Sequence, residues 1–370
     1  MAKYRLNALK SWMEREGIEL LVIEDCEERR NAALRYLCGH PSDALFFLHV
    51  SGASLLVPWD LPMAELMATA DALVAYSSFE RSPIKAIAGV ARRFGVSQEG
   101  RVELPSSIPL PLYRELQQEA PEFEFLCRTD GAEQQLNELR AVKDATELEI
   151  YRRGAAITDE IIAALVKGFK EKLFETELDA ALFIEAELRK AGGEGTGFET
   201  IVANPERSFG IHAFPSFSSG RLDLDGPTII DFGVKLEGYT TDVTLTLLQG
   251  ELKPEQERMA ELVEEAYSQA EAALTPGATN ATVALAVDEF FRSKGVSMPH
   301  SLGHAIGLEA HEKPTLKNRE GESVKLEPGM ILAVEPGLYH PDFGGVRKEN
   351  DYLITDTGFE KLTDSGIFRI

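Results

Sequence analysis

Cysteine is nearly absent from this chain: among 370 residues there are three, Cys26, Cys38 and Cys127. An odd, scattered set suits reduced thiols in a cytoplasmic setting and offers no disulfide framework. Positive charge is also short, with 38 Lys and Arg against 61 Asp and Glu and a net charge of −23. No run of basic residues offsets that balance. Nucleic acid is therefore not expected as a partner, because its phosphates would be repelled, and anionic membrane surfaces are disfavoured for the same reason. No stretch of about 18 apolar residues occurs, so no segment is expected to span a bilayer. The opening MAKYRLNALKSWMEREG is charged and amphipathic. It has no apolar block ahead of a small-residue cleavage site, so it does not read as a secretory signal. Low-complexity tracts are missing as well.

What is present is ordinary for a globular protein, at 44% hydrophobic and 27% charged residues. The length suggests two domains at roughly 150 residues each. In the first part, Leu6, Leu9, Trp12 and Met13 recur at helical spacing and Gly17 ends that helix. LLVI at 20–23, LFFLHV at 45–50 and SLLVP at 54–58 read as short buried strands, and further apolar runs lie near 72–76, 101–103 and 123–126. Helical patterns between them give an α/β domain over 1–130. A polar stretch near 131–143 is expected to link it to the rest. Asp144, with Glu147 three residues on, reads as a capping box opening a long helix. From 144 to 370, helices at about 144–168, 176–191, 255–274 and 281–293 alternate with pairs of strands. That pattern is α+β, with helices packed on a mostly antiparallel sheet.

Chemistry concentrates in the second part. In TIIDFGVKLEGYTTDVTLTLL, Asp231 ends one apolar run and Asp242 interrupts another. A buried carboxylate without compensation is costly. A turn around Leu236 to Gly238 would set Asp231 and Asp242 directly opposite each other, where bare carboxylates repel and one stays protonated. Metal cations remove that conflict; a turn-capping Asp and a solvent-facing Asp are the alternative. In ILAVEPGLYHPDFGGVRKENDYLI, Glu335 and Glu349 again face one another across a hairpin whose turn lies in HPDFGG. Two such hairpins suggest a duplicated architecture. The segment PHSLGHAIGLEAHEKP carries His300, His304 and His311, three of the seven histidines. Pro299, Gly303 and Gly307 argue against a helix, so the HxxxH spacing is not the helical zinc motif. An extended segment threading past a polar site fits better. Four carboxylates balance two divalent cations. Oxygen-rich ligation with an imidazole and no thiolate points to Mn²⁺, Co²⁺, Fe²⁺ or Zn²⁺. Two such ions lower the pKa of a shared water and clamp a carbonyl oxygen, which suits hydrolysis.

These residues, in order and in local context, resemble the creatinase/aminopeptidase P/prolidase family. The match rests on DFG…TD, HSLGHAIGLEAHE, VEPG and GGVRKEND, and runs from about Leu139 to the C-terminus. The resemblance implies a C-terminal pita-bread catalytic domain behind a smaller α/β domain, with Asp231, Asp242, His304, Glu335 and Glu349 as the ligands of two divalent ions, Mn²⁺ foremost. It further implies His212 and His300 on the substrate side and His311 stabilising a tetrahedral intermediate. Glu335 would also carry a proton, and Arg347 would touch substrate or support a ligand. The implied activity is hydrolysis of the Xaa-Pro bond of dipeptides or short peptides, in a cytoplasmic homodimer or larger homo-oligomer. A metal-dependent lyase or hydrolase of a small non-peptide, methionine aminopeptidase, and a non-catalytic binding protein are the alternatives. Three positions depart from the family pattern: Ala305 stands where many members carry Gly, Leu245 where many carry Arg, and the run around His212 differs in spacing.

Overall fold

The apolar runs of residues 18–127 become the strands of one six-stranded sheet, and the amphipathic stretches between them become its helices. The computed structural model describes residues 2–275, 277–319, 321 and 323–370. The chain divides into two units, Met1–Leu139 and Arg140–Ile370. In the first, α1 (Ala2–Glu16), β1 (Ile18–Asp25), α2 (Ala32–Cys38), β2 (Ala44–His49), β3 (Ser54–Pro58), α3 (Leu61–Met67) and β4 (Ala72–Leu73) come first. They are followed by α4 (Pro83–Phe94), β5 (Arg101–Leu104), α5 (Leu110–Glu119) and β6 (Glu124–Cys127). The strands form one mixed sheet in the order β4-β3-β2-β1-β5-β6. Gly17 ends α1 in the left-handed region, at φ 66°. Val22, Phe47, Val57 and Val102 of the sheet pack with Ile87, Val90 and Leu116 of α4 and α5 in this unit's core. The expected linker 131–143 carries a further helix, α6 (Ala132–Ala141).

The second unit is built twice over on one plan. Helices α7 (Ala145–Lys170) and α8 (Glu177–Lys190) precede strands β7 (Gly195–Thr196) and β8 (Ile201–Ala203). A hairpin then follows, of β9 (Gly226–Phe232), β10 (Val234–Leu236), β11 (Tyr239–Thr240) and β12 (Val243–Gln249). Next come α9 (Pro254–Ala273) and α10 (Asn280–Ser293), then β13 (Gly303–Ala305) and β14 (Glu312–Leu316). The second hairpin is β15 (Ile331–Val334), β16 (Gly337–His340), β17 (Gly344–Arg347) and β18 (Asn350–Thr355), and β19 (Gly358–Lys361) and β20 (Ile367–Arg369) end the chain. Every pairing among these strands is antiparallel except β12 with β20. The capping box at Asp144 and Glu147 forms as the sequence indicates, fixing where α7 begins.

Each half has its own core. Ile161, Leu165 and Ile184 of the first helix pair pack on Ile230, Phe232, Val243 and Leu245. Val263, Ala266, Val287 and Phe291 of the second pack with Leu332, Val334 and Tyr352. Leu245 thus belongs to the helix-backed face, while Thr244 and Thr246 on either side of it point the other way, as strand alternation requires. Those two threonines join the hairpins. Glu349 donates its amide to Thr244 O at 3.0 Å, and Thr246 Oγ donates to Arg347 O at 2.7 Å.

Candidate metal centre

Both hairpins are interrupted midway; Asp242, Glu335 and Glu349 sit at the interruptions, and Asp231 is paired two residues before the first. In the first, Leu236 pairs with Tyr239 around a Glu237–Gly238 turn, and Thr244 pairs with Asp231. The expected register is therefore corrected. The turn is centred one residue later, so Asp231 faces Thr244 and Asp242 is its diagonal neighbour on the same face. The ladder breaks at Gly233, where a Cβ would lie 2.1 Å from Thr241 O. In the second hairpin, Val334 pairs with Asn350 and Gly337 with Arg347. The same register places Glu335 opposite Glu349 in the gap between the two ladders. The third contributor is β13, held between β14 and β15, with His304 opposite Ala333. Its approach depends on Gly303, where a Cβ would come within 2.0 Å of Ala333 O.

These elements converge on one cavity of about 370 Å³ lined by His212, Asp231, Asp242, His300, His304, His311, Glu335 and Glu349. Eight of the nine residues singled out in the sequence therefore share one space. The ninth, Arg347, is 1% exposed and lies behind the wall. Its Nη2 donates to Asp231 Oδ2 at 2.6 Å, its Nε to Thr244 Oγ at 2.9 Å, and its Nη1 to Ile211 O and the Tyr339 hydroxyl, each at 2.9 Å.

The donor set is all acceptors. His304 Nδ1 lies 3.2 Å from Ala305 O, so that nitrogen carries the hydrogen and Nε2 presents its lone pair. Nε2 is 3.8 Å from Asp242 Oδ2 and 3.6 Å from Glu335 Oε1. Burial pushes the His304 imidazole down to about 4, so it is neutral at pH 7. One ligand atom each from Asp242, His304 and Glu349 lies within 4.8 Å of the others. Asp231 Oδ1 is buried without a hydrogen-bond partner among the described residues. Burial, then repulsion from Glu349 and Asp231, holds the Asp242 carboxyl far above the usual range. Burial and the charge of Glu335 do the same to Glu349. Glu335 itself is pushed up to about 8 by burial, against the pull of Arg347. Carboxylates arranged this way cannot all ionise by themselves, and cations placed among them remove the conflict. The residues fit divalent metal.

The histidines differ in their surroundings. His300 Nδ1 lies 2.8 Å from Ser301 O, so it carries the hydrogen, and Nε2 accepts from the Tyr339 hydroxyl at 3.0 Å. Both ring nitrogens are engaged, and burial lowers this group to about 4. His311 is exposed at the cavity, with its ring centroid 4.2 Å from that of His304. The turn that carries it is held by Glu312, which accepts from Leu308 N at 2.9 Å and is paired with Arg140 and Lys143.

Three supporting residues escaped the sequence reading. Thr244 donates to Glu349 Oε2 at 2.7 Å while accepting from Arg347. Tyr339 joins His300 to Arg347. Asp351, fully buried, accepts the Asp242 amide at 3.0 Å, with the Tyr151 hydroxyl beside it but outside good hydrogen-bond geometry. Asp351 was open to recognition as a second acid two residues past Glu349, on the same strand face. Thr244 and Tyr339 carry no comparable signal, because Thr244 bonds to residues about a hundred positions away and the hydroxyl of Tyr339 is placed only by the folded hairpin and His300.

Comparison with known proteins agrees with this architecture. A family model of the creatinase/prolidase N-terminal domain matches residues 5–142, and one of metallopeptidase family M24 matches residues 149–356. The X-Pro aminopeptidase of Thermotoga maritima superposes with a TM-score of 0.85 at 26% identity, over 99% of each chain. The Xaa-Pro dipeptidase of Pyrococcus horikoshii is 28% identical over 97% of this chain and 96% of its own. That of Pyrococcus furiosus is 34% identical over 62% of this chain and 64% of its own. The chain spans less than two thirds of the length of that relative and of others at similar identity. The fold is the two-domain pita-bread fold of a metallopeptidase. The chain belongs to metallopeptidase family M24.

Proposed function

We propose that the protein is a dinuclear metal-dependent peptidase that hydrolyses the bond between an N-terminal residue and a following proline. The observation that carries this reading is the ring of lone pairs at the cavity floor. His304 Nε2 faces carboxylate oxygens of Asp242 and Glu335, with an orphaned oxygen of Asp231 and the carboxylate of Glu349 in the same wall. Asp231, Asp242, His304, Glu335 and Glu349 would hold two divalent ions, Mn²⁺ before Co²⁺, Fe²⁺ or Zn²⁺ by the oxygen-rich ligand set. Bound there, such ions supply an acidified water and polarise the scissile carbonyl. Xaa-Pro is a tertiary amide whose nitrogen offers no N–H to the enzyme, and that nitrogen, like any amide nitrogen, needs a proton before it can leave.

The chain's own residues account for the remainder. Glu335, whose Oε1 lies 3.6 Å from His304 Nε2 in the cavity wall, would take a proton from water and pass it to the proline nitrogen. His311 donates toward the oxygen that gains charge. His212 and His300 wall the proline side. His300 does so as a fixed neutral ring, because Ser301 and Tyr339 occupy both its nitrogens. Arg347 acts on Asp231, holding one oxygen so that the other faces the cavity. Both dipeptidase and aminopeptidase names occur among the relatives. Three unpaired cysteines favour a cytoplasmic setting, and the family resemblance favours a homo-oligomer. The test is elemental analysis of the purified protein. Chelation and reactivation with each divalent ion would follow, on a panel of Xaa-Pro dipeptides and longer peptides. Metal-loaded protein inactive on the whole panel would overturn the proposal.

A further inference from the structure

Resting on that peptidase reading, we infer that Glu199 selects substrates whose first residue carries a cationic side chain. Glu199 lines the cavity beside Phe198, Ile201 and Ile211. The register locates it. Ile201 pairs with Asp231, and Glu199 lies two residues earlier in the chain. Since an extended chain advances ~3.3 Å per residue, the Glu199 Cα lies within about 7 Å of that of Ile201, the residue beside Asp231, and its side chain reaches the same cavity. A substrate's α-amine is two bonds from the scissile carbonyl carbon and stays with the inner acids. A Lys or Arg side chain leaving the same α-carbon extends far enough to meet Glu199.

The chemistry of the wall suits such a side chain. Ser216 Oγ donates to Glu199 Oε2 at 2.7 Å, which fixes the carboxylate and leaves Oε1 free to receive a donor. Phe198, Ile201 and Ile211 offer apolar surface to a methylene stem whose charged end reaches the exposed carboxylate. No Lys or Arg is among the described residues lining the cavity, so no cation of the chain competes for Glu199 there. The inner carboxylates are the ones proposed to hold metal, and Glu199 stands outside that set.

The experiment measures kcat/KM of the metal-loaded full chain on peptides beginning Lys-Pro, Arg-Pro, Glu-Pro and norleucine-Pro. The Lys-to-norleucine ratio is expected to be roughly fivefold, the upper range for a solvent-accessible ion pair, and to shrink as salt is added. Glu199→Gln should bring that ratio to about one, and Glu199→Lys should turn the preference toward Glu-Pro, since both variants remove the receiving charge. A wild-type ratio of one or less, or a ratio unchanged in Glu199→Gln, would overturn the inference while leaving Xaa-Pro hydrolysis standing. Failure to cleave every peptide, the norleucine one included, would instead remove the peptidase reading and this inference with it.

Discussion

Replacing Arg347 with Met tests how the acidic cluster is held in place. The two side chains are similar in length, but the substitution removes every donor of a group that is 1% exposed. Asp231 Oδ2 would lose its partner at 2.6 Å, and the Ile211 carbonyl, Thr244 hydroxyl and Tyr339 hydroxyl would each lose one at 2.9 Å. Stripping one member from a buried ion pair costs about 3–5 kcal/mol, because the remaining charge has neither water nor partner. Thr244 keeps its bond to Glu349 and Tyr339 its bond to His300, so their shares are small. The Ile211 carbonyl adds about 1 kcal/mol if water does not reach it. For a unit of this size, such a loss lowers the melting temperature by about 10 °C. Calorimetry in chelator is the assay of choice. Trp12 and Trp59 are the only tryptophans and both lie in the first unit, so their fluorescence follows the wrong part of the molecule. Arg347→Lys should recover only part of the loss, since a point charge cannot serve three directions at once. A chelated Arg347→Met protein melting within about 2 °C of the parent would refute the reasoning.

Two further outcomes follow from the same geometry. In metal-free protein, Glu335 and Asp351 titrate near 8, above their ordinary values of 4.5 and 3.8. Between those limits the folded state holds more protons than the unfolded one, so stability declines as pH rises from about 5 to 8. Thermal melts in chelator across that range should show the decline, and metal-loaded protein should show much less; equal slopes would contradict it. Gly303→Ala would drive a Cβ to within 2.0 Å of Ala333 O, separating β13 from β15 and displacing His304. It should lower melting temperature and metal affinity together, by calorimetry and titration. Normal affinity in that variant would show that the close approach is dispensable.

The sequence carried the elements well where the signal was local. Asp144 with Glu147 announced α7, and Gly17 announced the end of α1, because each acts through its own backbone neighbours. The facing positions of Glu335 and Glu349 were readable because the turn residues between them set the register. Asp231 and Asp242 were misplaced relative to each other because the two-residue turn sits one position further on, a shift no local pattern reveals. Of the eight residues gathered round the cavity, four were visible as acids in or beside apolar runs and three as a cluster of histidines among small residues; His212 was carried by the family resemblance alone. What orients them was not visible. Thr244 and Tyr339 are common residues in unremarkable settings, and their importance comes from tertiary contacts, such as Thr244 with Glu349 and Tyr339 with His300. Arg347 was recognised, but its direction, away from the cavity and onto Asp231, is a tertiary fact.

The central claim is that acidic residues of two interrupted hairpins and one imidazole hold a pair of divalent ions. Calorimetric titration of chelator-stripped protein with Mn²⁺ tests it most directly, run beside Asp242→Asn and Glu349→Gln. The expected result is two ions per chain in the parent, with proton release on binding, and fewer or weaker sites in both variants. A parent chain that takes up no ion, or variants that bind as the parent does, would contradict it.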